Sequence, residues 1–158
     1  MKNKSEPERA REYSFLLLKY RLRSVNELKG RLKAKGFSAE VVRDTADFLK
    51  ERRFLDDRQF CRAWISSRLK RPWGFRRIRQ ELRFKGVDKE IVEEQARELS
   101  KGYAEAEIIK EIAEKRLNNL KGLEPVKARE RVYSYLIRRG FTPETVIDTV
   151  NLICKQTS

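Results

Sequence analysis

One ten-residue phrase occurs three times in this chain. Lys33-Ala34-Lys35-Gly36-Phe37-Ser38-Ala39-Glu40-Val41-Val42 is followed by Arg83-Phe84-Lys85-Gly86-Val87-Asp88-Lys89-Glu90-Ile91-Val92 and by Ile137-Arg138-Arg139-Gly140-Phe141-Thr142-Pro143-Glu144-Thr145-Val146. The glycines lie 50 and then 54 residues apart. A repeat of this period limits the fold sharply, because one such unit buries too little apolar surface alone and gains stability by stacking on its neighbours.

Each copy carries the same helix-boundary chemistry. The glycine stands where a helix ends in the left-handed region, which Gly enters without steric cost. Two residues later Ser38, Asp88 or Thr142 supplies a side-chain oxygen for the free N–H groups of a new helix, and each is predicted to be an N-cap. The pairs Phe37/Val42, Val87/Val92 and Phe141/Val146 have the spacing of a hydrophobic staple. Pro143 takes the first helical position, where its missing N–H costs nothing.

The remaining helices follow from apolar periodicity. A first helix is expected from about Glu8 to Tyr20, with Tyr13, Leu16, Leu17 and Tyr20 on its inner side. Ser24 and Glu27 form a capping box for a second that carries Leu28 and Leu32 inward, and a third starts at Ser38. Asp56 is the N-cap of the next, with Gln59 closing the box and Leu55/Phe60 as its staple; this helix stops before Pro72. Another begins near Gly74, with Phe75, Ile78 and Leu82 inward, and its counterpart after Asp88 carries Val92, Ala96 and Leu99. In the looser third copy, Ile108, Ile109, Ile112 and Leu117 belong to a helix ending near Gly122, Val132 and Leu136 to the next, and Val146, Val150 and Ile153 to the last. No strand or hairpin signal is present. The expected fold is all-α: three three-helix repeats, 1–54, 55–101 and 102–158, in an elongated, curved helical array.

Charge narrows the function. Thirty-eight basic against 24 acidic residues give a formal +14, which points to a polyanionic partner, nucleic acid or a nucleoprotein ahead of a membrane. No apolar run approaches a spanning helix, and Met1-Lys2-Asn3-Lys4-Ser5-Glu6 lacks a signal-peptide core, so a soluble, cytoplasmic protein is expected. Cys61 and Cys154 lie far apart and are expected to be small buried hydrophobes. With no histidine and two cysteines, the usual four-ligand zinc sites and Ser-His or Cys-His nucleophile pairs are excluded. Asp56-Asp57 is a compact carboxylate pair, but adjacent helical residues point about 100° apart and a hydrolytic metal site needs further converging carboxylates. Capping accounts for Asp56 and the helix dipole for Asp57. No catalytic residue, metal or cofactor is expected.

The basic charge is concentrated. Between Lys50 and Lys85 there are thirteen basic and four acidic residues, which is +9 of the net charge. On the helix after Trp73, Arg76, Arg79, Gln80 and Arg83 form a stripe beside the apolar one, and the arginine fork suits phosphate or carboxylate. Arg68, Arg71, Trp73, Arg76, Arg79 and Arg83 are therefore the candidate binding residues. For Trp73, stacking on a partner and stapling the following helix remain equally open.

Arg21-Leu22-Arg23-Ser24 with Glu27-Leu28, Lys35-Gly36-Phe37, Leu55-Asp56-Asp57, Phe60 with Trp64, and Gly74 leading to Glu81-Leu82 and Lys85-Gly86-Val87 resemble the RecX family of bacterial recombination regulators. The resemblance covers nearly the whole chain, most strongly from Tyr20 to Gly86. It implies a non-enzymatic modulator that binds the RecA recombinase, lodges along the RecA filament on DNA and inhibits strand exchange and ATP hydrolysis in DNA repair; a monomer is expected. Direct contact with DNA is implied as well. The rival is an autonomous, sequence-independent DNA-binding protein, since helix, glycine turn and helix with basic residues also outline a helix-turn-helix reader. Against that reading, the second helices lack an Asn/Gln-rich base-reading pattern. A nuclease acting through Asp56 and Asp57 is a distant third.

Overall fold

The computed structural model describes residues 3–156, and among these it contains nine α-helices and no strand. They are α1 (Glu6–Tyr20), α2 (Val25–Ala34), α3 (Ala39–Glu51), α4 (Asp57–Leu69), α5 (Phe75–Phe84), α6 (Lys89–Ser100), α7 (Glu105–Asn119), α8 (Pro125–Arg138) and α9 (Pro143–Gln156). The all-α class and the triplet order are those expected from the repeat. Two compact units are formed: one from the chain up to Trp64 with Leu82–Gln95, the other from Ile65–Glu81 with the chain from Ala96 onward. Helices α4, α5 and α6 each contribute to both.

In the first unit Ala10, Leu28, Leu32, Val42, Leu49 and Leu55 form the core, with Tyr13, Leu17 and Phe37 packed against it. Leu28 and Leu32 are fully enclosed, each worth about 2–3 kcal/mol. Ser24 caps α2 as expected: its Oγ accepts the Glu27 N–H at 3.0 Å, and Glu27 accepts the Ser24 N–H at 3.2 Å. Ser38 accepts the Val41 N–H, and Asp56 Oδ1 accepts the N–H groups of Arg58 and Gln59.

Helix α1 differs from the expectation in two ways. It starts at Glu6 rather than Glu8, because Ser5 and Glu8 make a further capping box. Its buried face is centred on Ala10 and Ser14, whereas Leu16 is 50% and Tyr20 77% exposed. Small residues let α1 approach closely, and the Ser14 hydroxyl is satisfied by the Ala10 carbonyl at 2.8 Å. A pattern that counts large apolar residues misses such a face.

The second unit has a core of Ile109, Val132, Leu136, Phe141, Val146 and Val150, with Ile108, Ile112 and Leu117 at its margin. Glu105 Oε1 accepts the Thr142 N–H at 3.2 Å, and Glu6 Oε1 accepts the Ser38 N–H at 2.7 Å at the matching place in the first unit. The first and third repeats thus close in the same way. Leu99, expected inward, is half-buried.

The repeats join through their glycine turns. Gly36, Gly86 and Gly140 all have left-handed φ, 95°, 72° and 86°. Ser24 and Gly74 each stand twelve residues before a turn glycine, at the start of the second helix of their repeat. In the first unit the Ser24 hydroxyl donates to the Lys85 carbonyl at 2.6 Å, and a Cβ at Gly86 would lie 2.5 Å from the Asn26 side chain. In the second unit the Gly74 N–H donates to the Arg139 carbonyl at 2.8 Å and the Arg76 N–H to the Gly140 carbonyl at 3.1 Å. A Cβ at Gly74 would sit 2.1 Å from the Gly140 oxygen, and one at Gly140 2.5 Å from the Arg77 backbone nitrogen. Each junction seats the start of one repeat's second helix on the glycine turn of the next. At Gly36, by contrast, a Cβ would meet nothing within 4 Å.

Candidate functional site

The six candidate residues fall into two groups. Arg71 and Arg76 are exposed, as are Gln80 and Arg83 along the same edge of α5, while Arg79 is half-buried with its guanidinium 5.7 Å from the Phe75 ring. Phe84, beside Arg83 at the end of the helix, is 82% exposed. This is the stripe that helical spacing places next to Phe75, Ile78 and Leu82, all three of them buried.

Arg68 and Trp73 are instead engaged by their own unit. Arg68 Nε donates to Glu81 Oε2 at 2.7 Å, and Arg77 Nε reaches the other oxygen at 3.4 Å. The Trp73 ring has the Arg77 guanidinium 3.6 Å and the Arg139 guanidinium 4.4 Å from its centroid, and its carbonyl accepts the Tyr103 hydroxyl. Cation–π contact to two arginines places this indole in the Gly74/Gly140 junction. Burial, with Glu105 nearby, pushes the Tyr103 hydroxyl up to about 12.

Glu27 plays the corresponding part in the other junction. It receives Arg21 at 3.0 Å and Lys85 at 2.7 Å, and its side chain is only 15% exposed. Burial alone would raise its carboxyl, but the bonds from Arg21, Lys85 and the Ser24 N–H outweigh that and hold it at about 2. A carboxyl lowered on folding stabilises the protein above its unfolded value near 4.3 and loses that contribution as pH falls towards 2. Glu27→Gln should therefore cost about 2 kcal/mol at neutral pH, after allowance for screening, and much less near pH 2. Urea unfolding of both proteins across this range measures the difference, and a constant gap would contradict the ion-pair explanation.

Asp56 and Asp57 have separate structural partners. Asp57 Oδ1 accepts the Val25 N–H at 2.8 Å, so it caps α2 from the start of α4, a role that its place in the first turn of its own helix does not suggest. Burial pushes its carboxyl up, against that hydrogen bond, with Asp56 adding to the rise. Among the described residues no group of three or more potential metal ligands converges. Cys61 is buried, which with the nearby Asp57 pushes its thiol up to about 11 and keeps it protonated and inert. Cys154 is half-buried. No helix among the described residues is long and apolar enough to cross a membrane.

Three family models match in order along the chain: the first three-helix domain of RecX at residues 10–49, the second at 56–94 and the third at 104–149. The chain is 34% identical over 148 residues to the regulatory protein RecX of Prosthecochloris aestuarii, covering 93% of this chain and 95% of that one. It is also 34% identical over 156 residues to the regulatory protein RecX of Mycobacterium sp. strain JLS, covering 94% and 85%. The crystal structure of RecX from Lactobacillus salivarius superimposes with a TM-score of 0.83 at 17% identity, over 92% of this chain and 95% of that one, and so shares the fold. Matched domain by domain and along nearly its whole length, the chain belongs to the RecX family of regulatory proteins.

Proposed function

We propose that this protein binds the RecA recombinase and the RecA filament on DNA, and modulates it chiefly by inhibiting strand exchange and ATP hydrolysis. The observation that carries this reading is the ordered match of all three RecX three-helix domains. It acts without a catalytic centre, as a cytoplasmic monomer. The exposed edge of Arg71, Arg76 and Arg83 faces the filament, whose phosphates and acidic side chains are its partners. Arg79 lies at the inner margin of that edge, while Arg68 and Trp73 hold the segment in shape through Glu81, Arg77 and Arg139.

The net charge of +14 also favours direct, sequence-independent binding to DNA. The two readings separate on RecA-coated and bare single-stranded DNA at physiological salt. Tighter binding to the coated strand is expected; equal binding would mean that charge alone drives association.

A further inference from the structure

We propose that the Gly36 turn of one molecule receives the start of α8 of a second copy, in a head-to-tail contact that repeats the joints already made inside the chain. Both internal joints bring the N-terminus of one helix to the C-terminus of another. In the first unit α2 begins against the turn that ends α5: the Ser24 hydroxyl donates to the Lys85 carbonyl, and the Lys85 ammonium reaches Glu27, in the first turn of α2, at 2.7 Å. In the second unit α5 begins against the turn that ends α8: the Gly74 and Arg76 N–H groups donate to the Arg139 and Gly140 carbonyls, and the Arg139 guanidinium lies over the Trp73 ring. Each joint sets donors from a helix start on carbonyls at the negative end of another helix. Each also gives the basic residue before the glycine an acidic or aromatic partner.

One helix end of each kind stays exposed. The Gly36 turn ends α2 and has the basic Lys35 before its glycine, and among the described residues no backbone N–H donates to the Lys35 or Gly36 carbonyl. A cavity of about 240 Å³ lies beside this turn, lined by Glu6, Arg9, Tyr13, Lys35, Gly36 and Phe37. The start of α8 has the complementary character. The Glu124 side chain makes no capping hydrogen bond, Val126 is 55% exposed, and the first-turn N–H groups of Val126 and Lys127 are donors without an intrahelical partner.

Charge and helix dipole select this pairing. The terminal carbonyls of α2 attract the positive end of a helix, and Lys35 attracts a carboxylate that the helix start carries. Glu124 is placed to supply it: it stands one residue before α8, between the place of Trp73, two before the first residue of α5, and that of Glu27, two after the first residue of α2. Val126 is the apolar side chain that would enter the cavity beside Tyr13 and Phe37. Helix α8 also has 14 residues against 10 in α2 and in α5, so its start extends about one turn further from the glycine of its own repeat. The two surfaces differ, which makes the contact heterologous, and copies add in one direction. The contact is small, so dilute protein is monomeric and the dissociation constant is on the order of 0.1–1 mM.

The test is sedimentation velocity of the full chain, without RecA or DNA, so its outcome is independent of the proposed RecA partnership. It is run at physiological salt, which screens the +14 net charge that each copy carries. Monomer at low concentration, with dimers and longer species appearing towards about 1 mM, is the expected result. Lys35→Glu and Glu124→Lys should each weaken association about fivefold, and the two together should restore it, because the reversed charges meet again between copies. Both side chains are exposed, and unchanged circular-dichroism melts confirm that each variant is folded. Monomer at every concentration would overturn the contact, as would association that neither substitution weakens or a double variant no better than the single ones. If Lys35→Glu weakened RecA inhibition while the protein never self-associated, the Gly36 turn would receive a helix of RecA instead.

Discussion

Gly74→Ala is expected to lower the thermal midpoint of the second unit by on the order of 10–20 °C, as an overlap of this severity falls in the class of about 4 kcal/mol or more. The methyl would sit 2.1 Å from the Gly140 carbonyl oxygen, inside a junction already tied by the Gly74 N–H to Arg139 and the Arg76 N–H to Gly140. Neither side can yield without losing those bonds, because the opposing atoms are backbone. Gly140→Ala should be comparably severe, as it combines left-handed φ with a 2.5 Å approach to the Arg77 backbone. Gly36→Ala is the control: it has the same sign of φ but open space around it, and should cost only about 1 kcal/mol. Circular-dichroism melts of the three variants decide the matter. Equal losses at Gly36 and Gly74 would show that conformation alone, and not the close docking of one repeat on the next, makes these glycines necessary.

The second large effect is expected on function. Arg71→Glu, Arg76→Glu and Arg83→Glu together should raise the protein concentration needed for half-inhibition of RecA by at least tenfold, with Tm nearly unchanged. All three side chains are exposed, so their reversal disturbs solvent and partner far more than the core. Reversal replaces attraction by repulsion towards a polyanionic filament, an effect larger than neutralisation and reduced by added salt. Arg68 is kept unchanged, because Arg68→Glu would face Glu81 across the existing 2.7 Å contact and confuse destabilisation with lost binding. Full inhibition by the folded triple variant would remove α5 from the interface.

Much of this architecture is legible in the chain because the repeat is written in local chemistry. A turn glycine, an N-cap two residues later and a staple need only neighbours in sequence, and Gly36, Gly86 and Gly140 all take the expected left-handed turn. The inner face of α1 escapes apolar periodicity because Ala10 and Ser14 are small, and their burial depends on how closely other helices approach. Asp57 on Val25, Ser24 on Lys85 and Gly74 on Arg139 join residues 32, 61 and 65 positions apart, and no local pattern announces them. In the candidate site, the concentration of arginine is plain from composition. Which arginines face outward is not, since Glu81 takes up Arg68 while Trp73 takes up Arg77 and Arg139.

Binding to the RecA filament is tested most directly by the ATPase of the cognate RecA on single-stranded DNA at physiological salt, with this protein titrated in and DNA in excess. Inhibition at well below one protein per RecA protomer, persisting when more DNA is added, is the predicted result. Inhibition that surplus DNA abolishes, or none at all, would contradict it and leave a basic helical protein whose target is DNA.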